Sequence, residues 1–255
     1  MVAEKETMTF WEHLDQLRGV IVRAVVAVCL FAVAAFFFKE ELFDIVLAPK
    51  QSTFITFRLL SRISPIEPFS VNLINTGLAS QFMIHAKVAL YAGVFCAAPY
   101  MLYLVFSYVS PALYANERRY AVALVGSGYA MFIIGTALGY FLIFPFTVRF
   151  LGDYQVSQDV PNLITLESYI ETFMMLNLLM GLVFEIPILC WLLAKFGLLK
   201  AAFMRRYRRH AIVVILVAAA IITPTTDVFT LLLVSVPILL LYEASIVLVS
   251  CTSKK

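Results

Sequence analysis

The chain has 255 residues, 62% of them apolar and 14% charged, with a formal net charge of +3 and a mean hydropathy of +0.93. A soluble domain is nearer half apolar and a quarter charged, and a globule in water has too much surface to hide this many apolar side chains. Disorder, which needs low hydrophobicity, is excluded as well, and so small a net charge gives no reason to invoke nucleic acid.

The composition is that of an integral membrane protein, in which a helix needs about 20 apolar residues to cross. The opening MVAEKETMTFWEHLDQLR mixes acids with bases and does not read as a secretory signal peptide. Thr9 with Glu12 three residues on is a capping-box pattern, so a helix is expected from near Thr9. Phe10, Leu14, Leu17 and Ile21 share one face, Glu12, Gln16 and Arg23 another, and Asp15 points about 100° from Gln16. Trp11 suits the interface. The first span is expected at about 19–38, with Arg23 near one end, from which its side chain reaches the head groups.

Glu40–Ala48 mixes polar and apolar residues like a short interfacial helix and stops at Pro49; a loop carrying Pro65 and Pro68 follows to about Asn72. The second span is expected at about 73–107, with Lys87 snorkelling toward its outer end. SPALYANERRY (110–120) is a connecting loop. The third span, about 120–148, has Gly135 and Gly139 at a spacing suited to close helix packing. After a loop at 152–165 comes the fourth, about 167–195, interrupted by Glu185 and Pro187. A carboxyl group at mid-span is costly unless it faces a partner or water, and a proline beside it frees the Val183 carbonyl at the same depth. The basic run MRRYRR (204–209) precedes two short spans, about 210–226 and 228–249, joined by the turn Thr223–Asp227.

The expected fold is therefore all-α: a polytopic membrane protein of six transmembrane helices in a single domain, 1–255. An even number of spans puts both termini on one side. With the N-terminus inside, thirteen basic residues fall on the cytoplasmic side and five outside, so the positive-inside rule gives N-in and C-in. Cys29, Cys96, Cys190 and Cys251 have neither CxxC nor zinc-ligand spacing. His13, His85 and His210 form no HExxH, and GxSxG and Walker-type GxxxxGK are missing. No enzyme activity, cofactor or metal is expected. Glu185 also suits a proton-coupled small-solute transporter, but the inverted repeats common in such proteins are not visible.

HLDQLR (13–18), LAP (47–49), SPALYANERR (110–119), FEIP (184–187) and TPTTDVF (223–229) stand in one order along the chain. Together they resemble the TatC family, the multi-spanning core of the twin-arginine protein translocase, over nearly the whole sequence. The resemblance implies a glove-like concave bundle in the bacterial cytoplasmic (inner) membrane, which binds paired-arginine signal peptides at its cytoplasmic face. It implies that small single-span TatA/TatB-type partners are then recruited to a multi-copy receptor complex, and that folded proteins are exported at the expense of the proton motive force. Paired guanidiniums are best held by carboxylates. The family uses one acid in the first helix and one in the loop between spans two and three; Glu117 matches the second, and the first falls on Gln16, a neutral acceptor beside Asp15. Arg18, Tyr108 and Arg118 complete the implied signal-peptide set. Glu185 with Pro187, Asp227 and Pro49 are the implied intramembrane and partner-facing positions. The glutamine frequent four residues after the family's last-loop aspartate is here Leu231.

Overall fold

The computed structural model describes residues 10–62, 69–109, 121–155, 157, 159, 162–223 and 227–252. Among these residues eleven α-helices carry the fold: α1 Phe10–Phe36, α2 Lys39–Leu47, α3 Ile55–Leu60, α4 Ser80–Val109, α5 Ala121–Leu138, α6 Phe144–Asp153, α7 Leu166–Val183, α8 Ile186–Lys195, α9 Ala201–Arg206, α10 Arg208–Ile222 and α11 Val228–Thr252. A two-residue strand, β1 (Leu73–Ile74), pairs in parallel with β2 (Ile164–Thr165). Five of the described segments are long and apolar enough to cross a membrane: Leu14–Phe36, Ser80–Tyr108, Leu124–Asp153, Leu166–Lys195 and Val228–Thr252. The fifteen-residue α10 is shorter than the rest, as the sequence implies for the segment after the basic run.

The chain divides into two compact units. The first is Met1–Lys39 with Ala89–Tyr129. Its two long helices meet at Gly93: a methyl group there would stand 2.7 Å from the Val28 carbonyl oxygen and from the Ala32 nitrogen. Glycine is needed because the two backbones are nearly touching. The Arg23 Nε–H donates to the Gly19 carbonyl at 3.0 Å, so the side chain folds toward the start of the helix, the direction expected of a snorkelling arginine. The capping residue Thr9 lies outside the described residues.

The second unit is Glu40–Val88 with Ala130–Lys255. Here α5 passes through a wide turn of π type, Gly139–Ile143, into α6. Pro145 explains it. Proline has no N–H to offer the carbonyl four residues back and its ring crowds that carbonyl. The Phe144 amide bonds the Gly139 carbonyl instead, and the freed Phe141 carbonyl accepts the Thr56 hydroxyl from α3. The last carbonyls of α2 are served in a similar way. Tyr140 donates to Ile45 at 2.8 Å and Tyr169 to Val46 at 3.0 Å. In lipid an unpaired backbone group costs several kcal/mol, so these hydroxyls stand in for water. The aromatic rings then form the core: Phe144 meets Tyr169 and Phe173 edge-on, each with centroids 5.0 Å apart. The region expected as a plain loop after Pro49 thus contains α3 and ends in β1.

The fourth span is two helices. α7 ends at Val183 and α8 begins at Ile186, with Glu185 at its N-cap and Pro187 in its first turn. Proline is harmless there because first-turn amides have no intrahelical acceptor. α8 stops at Gly197, whose φ of +73° suits glycine. Its N–H bonds the Ala194 carbonyl and the Leu198 N–H bonds that of Leu193, both at 3.0 Å, which is the Schellman pattern. α11 packs along α8, and Met204, Ile246 and Val249 form a buried cluster between α9 and α11. The basic run is tied to α11: Arg208 meets Glu243 at 2.6 Å, Arg205 donates to the Ser250 hydroxyl at 2.7 Å, and the Tyr242 hydroxyl donates to the Met204 carbonyl at 2.9 Å.

Candidate functional site

Two groups of residues have the chemistry to act on something outside the chain. The first belongs to the first unit. Asp15, Gln16 and Arg18 all lie exposed on α1, and Tyr108 is half-buried near the end of α4. Among the described residues the helices between them are α2 and α3, nine and six residues long, too short to cross a bilayer, so as spans α1 and α4 run in opposite directions. From the contact of Gly93 with Val28 and Ala32, Gln16 lies 12–16 residues back along α1 and Tyr108 lies 15 residues forward along α4. At 1.5 Å per residue both reach roughly 20 Å from that crossing, toward the same end. Glu117 and Arg118 lie outside the described residues.

The second group is intramembrane. Glu185 is 8% exposed, and among the described residues no hydrogen-bond donor reaches its Oε1. Its backbone carbonyl accepts from both Ile188 and Leu189, at 3.1 and 3.0 Å, so the start of α8 holds it firmly while one side-chain oxygen has no counterpart. Asn177 is fully buried two turns earlier; its Nδ2 donates to the Phe173 carbonyl at 2.7 Å, and its Oδ1 has no donor among the described residues. Asn177 faces Gly139, where an added methyl would stand 3.0 Å from that Oδ1. Sequence reasoning did not single out Asn177; a lone amide in the apolar run MMLNLLM was the available signal.

Glu185, Asp227 and Pro49 do not form one cluster. Both α7 and α11 begin beside α6: Phe144 contacts Tyr169, and Phe150 stacks on Phe229 with centroids 4.3 Å apart. Asp227 therefore sits at the level where α6 ends, whereas Phe173 packs on the first residue of α6 and Glu185 lies twelve residues further along α7 and α8, roughly 18 Å past Phe173. Asp227 acts locally, through an Oδ1 that accepts from the Thr230 N–H at 2.6 Å, an N-cap bond to the third residue of α11. Its Oδ2 is buried with no hydrogen-bond partner among the described residues. Pro49 is buried in the 3₁₀ turn Ala48–Lys50 that follows α2.

Lys87, expected to snorkel toward the outer end of its span, has protein partners: its Nζ lies 3.0 Å from Glu167 Oε1 and 2.6 Å from Glu171 Oε1 in the first turns of α7.

A family model described as the Sec-independent protein translocase protein TatC matches residues 12–237. Proteins named Sec-independent protein translocase protein TatC are similar along their length. That of Blattabacterium sp. subsp. Periplaneta americana (strain BPLAN) is 32% identical over 266 residues, covering 100% of both chains. That of Koribacter versatilis (strain Ellin345) is 35% identical, covering 94% of this chain and 84% of its own. A crystal structure of the twin arginine translocase receptor TatC matches with a TM-score of 0.78 and 30% identity, over 95% of this chain and 100% of its own. By sequence and by fold, the chain belongs to the TatC family: it is a helical membrane protein and a subunit of the Sec-independent protein translocase.

Proposed function

We propose that this chain is the receptor subunit that binds paired-arginine signal peptides at the cytoplasmic face of the bacterial inner membrane, with both termini on that side. The observation that carries the reading is its likeness to a crystal structure of a twin arginine translocase receptor, matched over 100% of that chain. The chemistry of the first group supports it. Asp15 and Glu117 supply anions, Gln16 an amide acceptor and Tyr108 a ring on which a guanidinium can stack. Arg18 and Arg118 balance that charge and orient the carboxylates. Signal-peptide binding is followed by recruitment of single-span partner subunits to a multi-copy complex, and the proton motive force drives passage of the folded cargo. Glu185, with Pro187 shaping the turn around it, meets a polar group of a partner helix. Asp227 and Pro49 hold the outer ends of the surfaces that partners approach.

Site-specific photocrosslinking from positions 16, 108 and 117 to a twin-arginine precursor tests this. Crosslinks that vanish when the two leader arginines become glutamine are the expected result. Glu117→Ala should abolish precursor binding, and Gln16→Ala should weaken it less, because only the former removes a charge. Equal crosslinking with and without the leader arginines would overturn the reading.

A further inference from the structure

The end of α6 carries a pocket to whose lining residues the proposed function assigns no role. Phe146, Arg149, Phe150, Asp153, Tyr154 and Phe229 line an open pocket of about 420 Å³. Its wall is aromatic: the Phe150 and Phe229 rings are stacked with planes 20° apart, and Tyr154 also stacks with Phe150, with centroids 6.1 Å apart. The guanidinium of Arg149 lies 5.3 Å from the centroid of Phe69 and 5.7 Å from that of Phe57. These rings meet edge-on at 4.8 Å, and Phe57 is buried, so the cation rests on a fixed aromatic seat. Arg149 Nε and Asp153 Oδ2 are 3.7 Å apart, with the side chains 30% and 58% exposed. That separation is too long for a hydrogen bond. The guanidinium keeps donors to spare, and the carboxylate keeps its lone pairs.

The pocket's depth is informative. Asp153 ends the membrane-crossing segment Leu124–Asp153, which puts a cation, an anion and a belt of rings at the boundary of hydrocarbon and head groups. We propose that this pocket holds one phospholipid whose zwitterionic head group carries a primary ammonium, as in phosphatidylethanolamine. Its phosphate takes the free donors of Arg149, a geometry guanidinium matches bidentately. Its ammonium donates to Asp153. The glycerol and the first methylenes of one chain lie on Phe146, Phe150 and Phe229. The arrangement selects among lipids. A net-anionic head group brings no cation for Asp153 and is repelled by it. A choline head group brings a cation that cannot donate a hydrogen bond. A partner helix needs a long groove rather than a pocket of small-ligand size.

The test uses the full chain, purified, stripped of lipid and placed in nanodiscs of dioleoylphosphatidylcholine doped with dioleoylphosphatidylethanolamine or dioleoylphosphatidylglycerol. Lipid retained after release is read by native mass spectrometry. The parent should retain the ethanolamine lipid about tenfold over the choline lipid, the effect of one hydrogen bond to a charged group. Asp153→Asn, at an exposed position, keeps an acceptor but loses the charge, and should shrink the preference without shifting the unfolding midpoint. Arg149→Gln should lower retention of both. Inorganic phosphate and glycerophosphoethanolamine, added free, should compete only weakly, since they lack the chain that covers the rings. Equal retention of the two lipids by the parent, preference for the glycerol lipid, indifference to Asp153→Asn, or a polypeptide rather than a lipid crosslinked from a photoprobe at position 229 would each overturn the proposal.

Discussion

A methyl group on Gly135 would stand 2.4 Å from the carbonyl oxygen of Met180. At this point α5 and α7 touch backbone to backbone. Gly139 meets Asn177 in the same way, and Gly181, from the other side, meets Phe132 and the Thr136 hydroxyl, with an added methyl 2.7–2.8 Å from them. Three glycines, Gly135 on α5, Gly139 in the π turn that follows it and Gly181 on α7, thus make one seam. Without water to drive apolar association, such contact is what holds helices together in lipid. Gly135→Ala should force the seam open and cost about 1–3 kcal/mol, read as a lower thermal unfolding midpoint in detergent. Gly126→Ala is the control: nothing lies within 4 Å of the added methyl, and the midpoint should not fall.

Lys87 is held by two carboxylates, Glu167 and Glu171, which stand four residues apart on α7. Remove the lysine and two like charges face each other one helical turn apart, a repulsive arrangement. Lys87→Met should therefore lower the unfolding midpoint more than Glu167→Gln does. Adding Glu171→Gln to Lys87→Met should restore part of the loss. Because the groups are partly exposed, raising the salt concentration should shrink all three effects; a salt-independent loss would point to packing.

Much of this structure was legible because lipid leaves a chain few options. Apolar length pointed to the five long apolar helices, Pro49 to the end of α2, and the isolated acid before Pro187 to the buried carboxyl group. Glu185 is buried as its neighbours implied. What stayed hidden depends on distant pairs or very short elements. Lys87 finds its carboxylates 80 and 84 residues away, beyond any local pattern. β1 and β2 are two residues each, too short to show alternation. The wide turn at Gly139–Ile143 did have a local sign, Pro145, but only the Thr56 hydroxyl on α3 shows how the freed carbonyl is satisfied. For the positions proposed to meet a signal peptide, the resemblance named residues, and the crossing at Gly93 adds that Gln16 and Tyr108 lie toward one end.

Asp227 has a structural role that any functional experiment must separate from binding. Its Oδ1 caps α11 through the Thr230 amide. Asp227→Ala should cost about 1 kcal/mol of stability, the usual effect of losing a cap. Asp227→Asn keeps an oxygen acceptor and should unfold like the parent. Export of a twin-arginine reporter then distinguishes the roles. Loss with alanine alone identifies the cap, whereas loss with both identifies the charge of Asp227 as a contact for a partner.

Glu185 carries the sharpest expectation. The turn between α7 and α8 fixes its backbone, and its Oε1 is buried with no donor among the described residues. A buried carboxyl oxygen without a partner is costly, so its presence makes sense if a polar group from another helix completes it. Glu185→Leu should then leave the fold intact, or even raise the unfolding midpoint of the isolated chain, by removing an uncompensated polar group. Twin-arginine precursor should still crosslink at position 16. Partner helices, however, should no longer crosslink near position 185, and export should stop. Glu185→Gln keeps an oxygen and adds donors, so it should preserve part of the assembly if the partner offers a polar group of either kind. Normal export by Glu185→Leu would remove the partner role, and a fall in unfolding midpoint would show that Glu185 is satisfied within the chain.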